Sequence, residues 1–186
     1  RYKKTADLVT IKKLVADKYH EVRLCGLMLL VELFRAAKTE DRRREIYDFY
    51  MSNLSWINNW DLVDLTAYNI PGAFLHGKSP KPLFDLAKTK DLWKERIAII
   101  STMYFIKRGE FETTIKLAES FLNHKHDLMH KAVGWMLREV GKKDIKVLYG
   151  FLDKHAGAMP RTMLRYSLEK LSEDKRKRNY PLTNSY

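Results

Sequence analysis

Four short stretches decide how this chain folds: VRLCGL at 22–27, NNWDLV at 58–63, KERIAI at 94–99 and HKAVGW at 130–135. Each begins 36 residues after the one before, and a further step of that length reaches YSLEKL at 166–171. In this register Gly26, Leu62, Ala98 and Gly134 coincide. They are mostly small residues, the kind that lets packed helices approach closely.

Nothing between these stretches alternates with the period of two that marks a strand. Helical periods run throughout, interrupted near 17–18, Thr39, 53–55, 77–82, Gly109, 123–125, 141–143 and 157–160. About ten helices are expected, most of roughly 10 to 18 residues. Pro80, Pro82 and Pro160 suit helix starts, because the first turn needs no backbone donor there. Helix pairs recurring at this interval indicate an α-solenoid. The interval falls between tetratricopeptide and HEAT lengths, and the tetratricopeptide aromatic and proline pattern is missing. An all-α, HEAT-like array over residues 1–172 is therefore expected, curved, with a basic concave face. Residues 173–186, within EDKRKRNYPLTNSY, read as a basic flexible tail.

The 186 residues carry 35 Lys and Arg against 23 Asp and Glu, a formal net charge of +12. That excess favours a polyanionic partner, nucleic acid ahead of an acidic membrane surface. No apolar run reaches the length of a membrane span, and no signal peptide or glycine-rich phosphate loop is visible. Cys25, the single cysteine, lies in the apolar run RLCGLMLL and is expected in the core, in a reducing compartment. A cytoplasmic, nucleoid-associated monomer fits these features. The chain opens at Arg1 without a methionine, and a missing N-terminal segment is expected.

Against this basic background the run NNWDLVDLTAY (58–68) is odd. Wound as a helix, Asp61, Asp64 and Tyr68 form a narrow polar wedge, with Trp60 on one edge and Leu65 on the other. Leu62, Val63, Thr66 and Ala67 fill the remaining apolar arc. Arg96 stands amid Leu92, Ile99, Ile100 and Met103, a guanidinium on an apolar face. Either it pairs structurally with Asp64 one repeat earlier, or it points into a groove to hold a phosphate by a forked contact. Trp135 has Lys131, Arg138 and Glu139 as its helical neighbours, while Ala132, Val133, Met136, Leu137 and Val140 form the apolar arc. A tryptophan on the polar side suggests stacking on a nucleotide or packing against a sugar. Trp56 and Trp93 read as core. His124, His126 and His130 read as a solvated helix start, since no Cys, Asp or Glu completes a metal set; no metal and no cofactor are expected.

WDLVD, the arginine of WKERIAI, the tryptophan of HKAVGWMLREVGK and the terminal MPRTMLRYSLEKL together resemble the AlkD-like DNA alkylation-repair glycosylases, from YHEVRL onward. The resemblance implies excision of cationic N3- or N7-alkylated purines from double-stranded DNA, by hydrolysis of the glycosidic bond without lyase chemistry. It implies that Asp64 is the catalytic carboxylate and that Trp60 and Trp135 are the aromatics beside the damaged nucleotide. It makes Arg96 the groove arginine and Arg138 a DNA contact; Lys131 and Arg165 are further residues expected to bind DNA. Asn59 departs from the many relatives that carry a second tryptophan before WD.

Two other classes fit parts of the pattern. A HEAT-like scaffold for another protein explains the fold and charge, but not the Trp60, Asp64, Arg96 and Trp135 set. A catalytically silent DNA-binding protein explains everything except the need for Asp64. A helix-hairpin-helix glycosylase is disfavoured, because REVGKKD lacks the glycine-rich hairpin and no lysine is marked as a Schiff-base nucleophile.

Overall fold

The computed structural model describes residues 7–171, and they are helical, with no strand among them. The helices divide into two compact units, Arg1–Tyr104 and Phe105–Tyr186. The basic tail expected at 173–186 lies outside the described residues.

The first unit contains α1 (Leu8–Val15), α2 (His20–Ala36), α3 (Glu40–Ser52), α4 (Trp60–Thr66), α5 (Ala73–Leu75), α6 (Lys81–Leu86) and α7 (Leu92–Ser101). A 3-10 turn spans Leu54–Trp56, and a π turn spans Tyr68–Gly72. Short polar side chains start several helices: Asp7 accepts from Thr10 N, Thr39 from Arg42 N, and Asp91 from Trp93 N and Lys94 N. Pro80 sits at the start of α6, as its fixed backbone angle favours. Helices α2, α4 and α7, which carry the first three register stretches, pack in succession, α2 on α4 and α4 on α7. Helix α7 also packs on α6 and on the π turn, so it is buried without interruption from Glu95 to Ser101.

The π turn has a chemical cause. Pro71 has no N–H to offer the Ala67 carbonyl, and Gly72 N donates to that carbonyl instead, at 2.9 Å. The widened turn brings Gly72 against α7. A Cβ placed there would stand 2.2 Å from the Ser101 carbonyl oxygen and 3.1 Å from Tyr104 Cβ. Ser101 is fixed in turn, its hydroxyl donating to the Ile97 carbonyl at 2.6 Å. Gly72→Ala is therefore expected to destabilise the chain by about 1–3 kcal/mol, the usual range for overpacking a core. Urea denaturation measures it. An unchanged midpoint would mean that the π turn and α7 separate without cost.

The second unit contains α9 (Glu112–Ser120), α10 (Asp127–Lys143), α11 (Ile145–His155) and α12 (Arg161–Leu168), with α8 (Met103–Ile106) at the junction. Helix α10 buries Met129, Ala132, Val133, Met136, Leu137 and Val140, which includes the whole arc expected from the sequence. Gly134 lets α12 close on it, since a Cβ would meet the Met163 carbonyl oxygen at 2.5 Å and Tyr166 Cβ at 2.6 Å. Pro160 starts α12.

Three expectations need correction. Helices of ten or more residues are α2, α3, α7, α10 and α11; the others are shorter, because turns such as the one at Pro71 divide what the periodicity reads as one helix. Cys25 is exposed, on the side of α2 opposite the buried Leu27, Leu30, Val31 and Phe34. Trp56 is 39 % exposed, because it sits in the 3-10 turn rather than on a helix facing the core.

Candidate nucleic-acid site

Helix α4 presents the expected faces. Leu62, Val63, Thr66 and Ala67 are buried, Asp61, Asp64 and Tyr68 are half-buried, and Leu65 is exposed. Trp60 opens the helix with 54 % of its surface exposed, one turn before Asp64. A tryptophan so placed adds little to the core and offers a broad flat face to a partner.

Arg96 reaches Asp64 from α7. Its Nε donates to Asp64 Oδ1 and its Nη2 to Oδ2, both at 2.8 Å, a parallel two-point pair. Of the two readings of Arg96 from sequence, this is the pairing with Asp64. The guanidinium is turned onto the carboxylate and is only 5 % exposed, rather than reaching outward as a groove arginine would. The Asp64 side chain keeps 14 % of its surface accessible. An ionised carboxylate has about four lone-pair sites, and the pair occupies two of them. Behind Asp64, the Tyr50 hydroxyl bonds Thr66 Oγ1 at 2.9 Å. Burial pushes the Tyr50 hydroxyl far above its ordinary range, and the charge of Asp64 adds to the shift.

The opposite edge of the acidic wedge is also anchored. His20 Nε2, at the start of α2, lies 2.7 Å from Asp61 Oδ2. Arg23 Nη1 donates to the Asp17 and Lys18 carbonyls, and its Nη2 to Asn58 Oδ1 at 3.3 Å.

The remaining candidates form a second cluster, in the second unit. Trp135 is half-buried, and its Nε1 donates to Glu139 Oε1 at 3.2 Å. Glu139 also accepts from Lys142 Nζ and lies 3.6 Å from Arg138 Nε. Arg138 Nη1 is bonded to Glu169. Lys131 pairs with Asp127 at 2.7 Å, a contact that raises the ammonium's pKa and holds the carboxyl below its usual range. Arg165 is exposed on α12, its guanidinium 5.8 Å from the Tyr166 ring. The histidines serve the backbone: His126 Nδ1 accepts from Leu128 N, His124 Nδ1 from His126 N, and His130 bonds the His124 carbonyl. Among the described residues no group of His, Cys, Asp and Glu is placed to hold a metal ion, and no helix is long and apolar enough to cross a membrane.

The partners that the sequence reading passed over share one signal. Arg23 and Asn58 are 35 residues apart, Arg35 and Asn69 34, Ser101 and Ala67 34, Glu119 and His155 36, and Arg138 and Glu169 31. The Arg96–Asp64 pair spans 32. Each joins a residue to one about a repeat away, so complementary polar residues near that offset would have pointed to all but the Ser101–Ala67 contact, which uses a backbone carbonyl.

The family model described as DNA alkylation repair enzyme matches residues 1–171, and so takes in both clusters. The chain belongs to this family. No match was found among curated proteins or among solved structures. Membership of the DNA alkylation repair enzymes gives the basic chain a DNA partner and a role in repair.

Proposed function

We propose that this DNA alkylation repair enzyme is a monofunctional glycosylase that excises cationic N3- or N7-alkylated purines from duplex DNA. The observation that carries the reading is the pairing of an exposed aromatic with a fixed carboxylate. Trp60 stands one turn from Asp64, and Asp64 is locked by a buried guanidinium with part of its surface still accessible. A purine alkylated at N3 or N7 is positively charged and leaves as a neutral base, so no general acid is needed to protonate it. Glycosidases acting on neutral leaving groups use two carboxyl groups; here one suffices. As the bond stretches, positive charge grows on the sugar, and a pre-oriented carboxylate stabilises it without reorganising. Trp60 packs against the cationic nucleotide. Arg96 acts on this chemistry through Asp64, by fixing its position. Trp135, Arg138, Lys131 and Arg165 contribute contacts from the second unit, the helices of each unit serving as HEAT-like repeats with a basic face. The protein works as a monomer in the cytoplasm, on the nucleoid.

The test is release of N7-methylguanine and N3-methyladenine from methylated duplexes, with an abasic site and an intact strand as the other product. A second reading, a silent DNA-binding protein, is favoured by one observation: both Asp64 oxygens bond Arg96, as a purely structural carboxylate would. Absence of base release combined with tight duplex binding would establish that second reading.

Binding itself carries a further prediction. Affinity for duplex DNA is expected to fall with salt, with a log–log slope of about −0.9 for each phosphate neutralised. Arg138→Ala is expected to flatten that slope by about one phosphate's worth, a phosphate having taken the place of Glu169. A slope near zero in the parent protein would remove nucleic acid as the partner.

A further inference from the structure

The acidic wedge of α4 holds a second carboxylate, and it is not idle. Asp61 is three residues from Asp64 on the same helix, a spacing that places their Cβ atoms about 5–6 Å apart. Asp61 Oδ2 contacts His20 Nε2 at 2.7 Å, while its Oδ1 accepts from Leu62 N at 2.8 Å. The carboxylate is thus held at both oxygens. An ionised carboxylate only accepts, so in the neutral imidazole the proton must sit on Nε2. That leaves the lone pair on Nδ1, which has no hydrogen-bond partner among the described residues. The side chain keeps 27 % of its surface accessible. Imidazole oriented by a carboxylate, with its other nitrogen unbonded on a side chain partly open to solvent, is the arrangement of a general base.

We propose that His20, oriented by Asp61, is the general base that takes the proton of the attacking water. The inference rests on the glycosylase reading above. In the step, the C1′–N bond breaks and its electron pair goes to the purine nitrogen, so the cationic base leaves neutral. A water oxygen forms the new bond to C1′, and one of its protons passes to His20 Nδ1. The imidazolium is stabilised by Asp61 and later returns the proton to solvent. Asp64 and His20 then divide the work: one stabilises the developing sugar cation, the other activates the nucleophile. Asp61 is a positioning residue, because it acts through His20.

The geometry also admits a lesser role, a tie between the starts of α2 and α4, and the experiment separates the two. Single-turnover release of N7-methylguanine is measured for the wild-type chain, His20→Gln and His20→Ala, the last with and without added imidazole. Gln keeps a donor for Asp61 but cannot take a proton. Both variants are expected to lose about tenfold or more, less than the roughly hundredfold at which general-base effects usually begin, because the leaving group is already good. Imidazole is expected to restore much of the His20→Ala rate. Wild-type rates in His20→Gln, or a slow His20→Ala that imidazole leaves unchanged, would overturn the inference alone. No release by the wild-type chain would overturn it together with the glycosylase reading. Should His20→Ala fail to fold by circular dichroism, His20→Gln decides.

Discussion

Asp64→Asn is expected to slow release of N7-methylguanine or N3-methyladenine by about two orders of magnitude or more, the usual cost of removing one pre-oriented electrostatic group. The substitution keeps the shape of the side chain and removes the charge. It also alters the contact with Arg96: the amide oxygen accepts one donor, but the amide nitrogen faces the other guanidinium N–H. Some stability is lost with the activity, so release must be measured well below the melting temperature of the variant. Binding to the abasic-site product is expected to change little, since the charge acts mainly when the sugar becomes cationic. Release at the parental rate by the folded variant would end the catalytic claim for Asp64 and leave it as Arg96's partner.

Arg96→Ala has the largest expected effect on stability. It leaves Asp64 with 14 % exposure and no counter-charge, and it hollows the most buried helix of the first unit. Breaking one side of a buried pair costs about 3–5 kcal/mol. The lower part of that range is expected here, because the remaining carboxylate keeps some water. Chemical denaturation gives the value. Release should fall as well, since the carboxylate is no longer held. Asp64→Asn combined with Arg96→Ala then tests whether the two act as a unit: the double variant should release base no more slowly than the worse single variant. Fully additive losses would show that Arg96 contributes independently of Asp64.

How much of this was legible beforehand varies from residue to residue. The faces of α4 and α10 followed from helical spacing, because burial on an amphipathic helix is set by angle around its own axis. The small register positions were legible for the same reason, and Gly26 and Gly134 do admit a neighbouring helix, the former against Leu14 Cβ at 2.7 Å. The Arg96–Asp64 pair could be named, but not chosen over a phosphate contact, since both use the same fork. Trp56 and Cys25 were misread because local apolarity does not say which side of a turn or helix faces a neighbour. The His20–Asp61 contact was invisible for a related reason. It spans 41 residues, further than the repeat interval, and depends on how the first turns of α2 and α4 meet.

The π turn at Tyr68–Gly72 has a geometric effect that reaches the acidic wedge. Eleven residues separate Asp64 from Leu75. In an unbroken α-helix that distance returns to within about 20° of the same direction, so Leu75 would stand below Asp64, on its open side. One extra residue in the turn rolls everything after it by about 100°. Leu75 and Phe74 are carried into the interior, at 5 % and 4 % exposure, while Asp64 keeps its outlook. The turn works as a phase shifter between two halves with different duties. The acid-bearing half keeps its carboxylates toward solvent, the half after Pro71 answers to the core, and a single-residue deletion within the turn would force one heading on both.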